Sequence, residues 1–82
     1  MVRLMTELKN PEQIKRIIHG FGLDYTAFIA EGCWRGVAEP SLVLEFDDAS
    51  LKAVIEIAVA IKRMNEQQAI LIQRIRAQSR FV

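Results

Sequence analysis

Val2, Leu4, Thr6 and Leu8 alternate with Arg3, Met5, Glu7 and Lys9 at the start of the chain. A period of two sends successive side chains to opposite faces, so this stretch predicts a first strand with one buried side. Asn10-Pro11-Glu12-Gln13 then signals a helix start. Asn10 can cap, Pro11 lacks the N–H that would be orphaned in the first turn, and Gln13 can complete a capping box. Ile14, Ile17, Ile18 and Phe21 make one apolar stripe, and Gly20 falls where a left-handed residue closes a helix.

Asp24 to Glu31 predicts a second strand with bulk on both sides, Tyr25 and Ile29 against Thr26 and Phe28. Gly32-Cys33-Trp34-Arg35-Gly36 predicts a hairpin tip that can turn at either glycine. Leu42, Leu44 and Phe46 alternate with Ser41, Val43 and Glu45 in a third strand, and Pro40 is tolerable near its start. Asp47 and Asp48 suit the positive end of a second helix, from about Ala49 to Asn65. Its apolar arc, Leu51, Val54, Ile55, Ile57, Ala58, Val59 and Ile61, is wider than one sheet face needs. Gln67 and Gln68 lead into a last strand, Ala69 to Ile75, and no pattern marks the residues from Arg76 onward.

The order strand, helix, strand, strand, helix, strand predicts an α+β, ferredoxin-like βαββαβ domain spanning residues 1–82. Right-handed crossovers put the first and third strands in the centre of a four-stranded antiparallel sheet, with both helices on one face. The other face would carry Met5, Val43, Tyr25 and Ile29 of the second strand, and Ile70 or Ile72. A small domain buries proportionally little surface, and 51% of this chain is apolar, so a homo-oligomer through that face is expected.

Charge narrows the classes further. Eleven Lys and Arg against ten Asp and Glu leave a net +1, too little for a field that gathers nucleic acid or an anionic membrane. Ferredoxin-like RNA binders stack bases on aromatic residues of the central strands, but here the one such aromatic, Phe46, points to the core. A single cysteine, Cys33, excludes an internal disulfide and a thiolate metal site. No cofactor fingerprint or metal motif is present. MVRLMTELKN lacks a signal-peptide core, and Glu56 and Lys62 interrupt the longest apolar run, so a soluble cytoplasmic chain is expected.

The hairpin tip holds the candidate chemistry. Glu31, Trp34, Arg35, Glu39 and Ser41 lie within eleven residues. A guanidinium offers a planar fork to an anion, an indole offers a stacking surface, and the carboxylates and hydroxyl can fix polar groups. The competing reading packs Trp34 over the end of the core and pairs Arg35 with Glu31 or Glu39. His19 and Cys33 lack the neighbours of a catalytic base or nucleophile, and no nucleophile-elbow spacing occurs.

The segment G-C-W-R-G-V-A-E-P-S-L-V-L-E-F, followed by K-R-M-N-E-Q-Q-A-I-L-I, resembles small uncharacterised bacterial and phage proteins with a G-x-W-x-G…E-x-S hairpin and a Gln-led last strand. The likeness covers Gly32 to Ile72. It implies a ferredoxin-like module of phage origin and points to Trp34, Arg35, Glu39 and Ser41; a leader found in secreted members is missing here. The leading expectation is a binding module that captures an anionic or nucleotide-like molecule at the tip, serving sequestration or anti-defence. The alternatives are an inhibitor of a host protein that uses the apolar sheet face or second helix, and a small isomerase- or oxygenase-like enzyme with His19 or a carboxylate as base.

Overall fold

A computed structural model describes residues 1–76, 80 and 81, with the backbone alone at position 34. The elements are β1 (Val2–Glu7), α1 (Pro11–Gly20), β2 (Thr26–Trp34), β3 (Val37–Phe46), α2 (Leu51–Asn65) and β4 (Leu71–Arg74). They form a four-stranded sheet in the order β2-β3-β1-β4, antiparallel throughout. This is the ferredoxin-like arrangement, with β1 and β3 central.

Register explains the core. Val2, Leu4 and Thr6 face Phe46, Leu44 and Leu42 across the β1–β3 ladder, and Leu4 meets Ile72 on the β4 side. Ile14 and Ile18 of α1, with Val54, Ile57, Ala58 and Ile61 of α2, close over that side in one cluster. The helices therefore share one face. No described helix is long and apolar enough to cross a membrane.

The helix ends differ from the sequence reading. Asn10 has φ 53° and gives α1 no side-chain cap; its amide nitrogen instead donates to Asn65 Oδ1 at 2.9 Å. The left-handed residue after α1 is Gly22, φ 69°, not Gly20, which stays helical. Ser50, not Asp47 or Asp48, caps α2: its Oγ accepts from Ala53 N at 3.1 Å. A cap must sit one residue before the helical turn, and the helix begins only where the apolar spacing does, at Leu51.

Helix α2 stops in a Schellman turn, in which Gln67 N donates to Lys62 O and Glu66 N to Arg63 O. The left-handed position, φ 54°, falls to Glu66. Glycine there removes the Cβ penalty but adds chain entropy in the unfolded state. Glu66→Gly is expected to stabilise the domain by about 0.5–1 kcal/mol, read as a few degrees of Tm by calorimetry.

The same turn shortens the last strand. Residues 66–70 form no ladder with β1, so β4 runs Leu71–Arg74 rather than from Ala69 to Ile75. Met1 and Ile75 exchange bonds, Met1 N to Ile75 O at 3.2 Å and Ile75 N to Met1 O at 2.9 Å, which tie the strand's end to β1.

Strand parity also corrects the residues assigned to the open sheet face. Met5 and Val43 lie there, opposite one another. Ile29 pairs with Leu42 and Ile72 with Leu4, both on the helix side, while Tyr25 and Ile70 pack against the core cluster. The open-face residues in their place are Phe28, opposite Val43, and Leu71, opposite Met5. Arg3 and Glu45 share that face as an ion pair at 2.6 Å.

Candidate functional site

The β2–β3 hairpin is longer and tighter than a loose five-residue tip. Its ladder continues to Trp34↔Val37, leaving a two-residue turn at Arg35 and Gly36. Both have positive φ, 51° and 79°, as the hairpin turn that matches strand twist demands. Gly36 takes this conformation freely, whereas Arg35 carries a Cβ into it.

Beyond Ala30 and Ser41 the hairpin leaves the body. The described residues of Glu31–Pro40 are exposed, and no helix covers either side of them. This arm carries the residues that composition and turn chemistry single out. Arg35 sits at its apex. Glu31 stands opposite Pro40 and Glu39 opposite Gly32, so the two carboxylates point to opposite faces. Ser41 lies at the arm's base on the face of Glu39. The side chain of Trp34 lies outside the described residues. The structure thus brings Glu39 and Ser41 together but separates them from Glu31.

The ion pairs among the described residues are Arg3–Glu45 and Lys15–Glu12, so Arg35 is paired with neither Glu31 nor Glu39. His19, exposed, meets the Tyr25 hydroxyl at 3.4 Å. Cys33 is free and exposed on the arm. Among the described residues, no group of three or more His, Cys, Asp or Glu side chains is placed to hold a metal.

The concavities lie elsewhere. One of about 990 Å³ is lined by Met1, Ser50, Leu51, Arg74 and Arg76, at the N-terminus of α2. A second, about 380 Å³, collects Asp24, Thr26, Glu45, Asp47 and Asp48 around the start of β2. A third, about 440 Å³, runs between α1 and β2 past Leu8, Pro11, Lys15, Ala27 and Ile29. None of the three is lined by Glu31, Arg35, Glu39 or Ser41. A small-molecule site normally buries most of its ligand, and the arm of a single chain supplies no such enclosure.

Sequence reading missed both charged clefts, because each joins segments far apart in the chain. Asp47 and Asp48 drew attention only as caps and as charges at the helix N-terminus; with Ser50 as the cap, they line the second cleft together with Asp24. Compared with known proteins, the chain matches no family model and no curated relative, so the hairpin motif stands as a resemblance alone.

Proposed function

We propose that this chain is a binding module, not a catalyst, and that its working surface is the β2–β3 arm engaged by another polypeptide. The supporting observation is the exposure of Glu31–Pro40 on both faces. A two-stranded ribbon without a covering layer is marginal in water, so it gains order when it lies against something. A flat, two-sided arm offers a protein backbone and side chains to meet but no cavity to fill. The open sheet face beside it adds Met5 and the exposed Phe28 and Leu71 to the contact surface.

The test shortens the arm. Residues 31–40 are replaced by a two-residue Asn-Gly turn joining Ala30 to Ser41, a pair that bonds to each other across the ladder. Circular dichroism and the melting temperature are expected to stay near wild type, because the arm contributes nothing to the core cluster. Native mass spectrometry of freshly purified protein should show a bound polypeptide on the full chain and none on the shortened one. A retained small anion, released by Arg35→Ala without any protein partner, would reverse the reading in favour of ligand capture.

A further inference from the structure

We infer that the polypeptide meeting the arm is a second copy of this chain, paired antiparallel along β2 about a two-fold axis at Ala30. The inference rests on the binding reading above and names its partner.

The edge comes first. β2 is an edge strand of nine residues, TAFIAEGCW, with an unbroken register against β3. It contains no proline, no lysine and no bulge, which are the usual guards against edge-to-edge pairing. In a two-residue hairpin the residues flanking the turn bond to each other, so Trp34 and every second residue before it face β3. Ala27, Ile29, Glu31 and Cys33 therefore turn their N–H and C=O outward, and each of the four has an N–H to give.

The register follows from the residues. Thr26–Trp34 has its midpoint at Ala30, so a two-fold there overlaps the whole strand. It sets Phe28 opposite the partner copy's glycine at position 32, and position 30 opposite itself, large beside small. The outward residues pair as Ala27 with position 33 and Ile29 with position 31, about eight hydrogen bonds in all if each pair exchanges two. A centre at Glu31 would bring two carboxylates face to face. A centre at Ile29 shortens the ladder and aims the tip at Leu23.

Charge singles out the same register. Arg35 is the only cation between Gly20 and Leu51, and it belongs to no ion pair among the described residues. With the axis at Ala30, position 35 of one copy arrives beside Tyr25 and Asp24 of the other. That is the cleft of Asp24, Glu45, Asp47 and Asp48. Glu31 of one copy arrives beside Ile29 of the other, in the groove that Lys15 also lines. Both contacts occur twice by symmetry. The same arrangement joins the two open faces into one sheet of eight strands.

Three measurements test it. Sedimentation equilibrium of the full chain should show a reversible dimer at micromolar concentration. Arg35→Glu should weaken it by roughly tenfold or more, because like charges then meet in the cleft, and adding Asp24→Arg should restore it. Ala27→Cys, with oxidised glutathione as the oxidant, should give a covalent dimer through Cys33 of the other copy, since directly opposed strand residues fall within disulfide reach. Wild-type Cys33 should not cross-link to itself, because six residues of strand separate the two thiols. A chain that stays monomeric, or cross-links through Cys33 alone, overturns the inference. A monomer whose arm still captures a foreign protein leaves the binding reading standing, and a dimer untouched by arm shortening sinks both.

Discussion

Phe46→Ala is expected to cost about 3–5 kcal/mol, the range for emptying a buried aromatic site. Phe46 is fully buried on the helix side of the sheet, where Val2 faces it across the ladder and the Tyr25 ring lies 6.4 Å away, tilted by 50°. A domain of this length holds only about 4–12 kcal/mol in total. The variant should therefore melt tens of degrees lower, by calorimetry, and be partly unfolded at room temperature if the parent sits at the low end. Phe28→Ala is the control. The same residue type on the open face is 43% exposed, and its loss should cost under about 1 kcal/mol. Equal costs at the two positions would mean that the open face is already covered in the isolated chain.

The contrast between these phenylalanines shows what a period of two can reveal. Alternation in β1 and β3 identified one inward face correctly, and burial follows it cleanly in β1, whereas in β3 Val43 on the open face is buried along with Leu42 and Leu44. β2 and β4 are edge strands with apolar residues on both sides, where alternation is silent and only pairing decides. Alternation alone therefore leaves Ile29 and Ile72 on the open face, and the ladder puts them opposite Leu42 and Leu4. Ile29 is nonetheless 64% exposed, since α1 stops short of the sheet's edge. Composition had marked it as a contact residue for a different side.

The candidate site was legible as a segment but not as a shape. Gly32 to Gly36 announced a turn, and Arg35 stood out as an anion-binding fork beside Trp34. That the strands would run on to Trp34 and Val37 depended on two positive φ angles, one of them at an arginine. Propensity does not favour this, and the twist of the flanking strands imposes it. Once the arm is straight, Glu31 and Glu39 separate onto opposite faces and an enclosed ligand rim in one chain is lost. The acidic cleft needed the fold, since Asp24 and Asp48 meet only after β2 and β3 have paired.

Asn65→Leu is expected to destabilise the domain by roughly 2–4 kcal/mol, although it adds apolar volume at a buried helix end. Asn65 is 1% exposed, and its side chain makes three hydrogen bonds. Nδ2 donates to Lys9 O at 2.9 Å and to Gln67 Oε1 at 3.3 Å, and Oδ1 accepts from Asn10 Nδ2 at 2.9 Å. Lys9 Nζ closes the circle on Asn65 O at 2.8 Å. These bonds fasten the loop after β1 to the C-terminus of α2, two segments 55 residues apart. Leucine would take the partner from Lys9 O and Asn10 Nδ2 in two part-buried bonds and one of the two from the buried Gln67 Oε1, and the loss of these bonds exceeds the gain from burying methyls. Gln67 behaves differently. Its Oε1 accepts from Thr6 Oγ1 at 2.8 Å, but its Nε2 is buried with no partner among the described residues. Gln67→Met removes that orphan together with two bonds, those from Thr6 Oγ1 and Asn65 Nδ2, so its cost should be about 1–2 kcal/mol, below that of Asn65→Leu. Urea titrations of both variants separate the cases: if Gln67→Met is as damaging as Asn65→Leu, the amide that appears unpaired is bonded in solution, and the latch extends through β1 to Thr6.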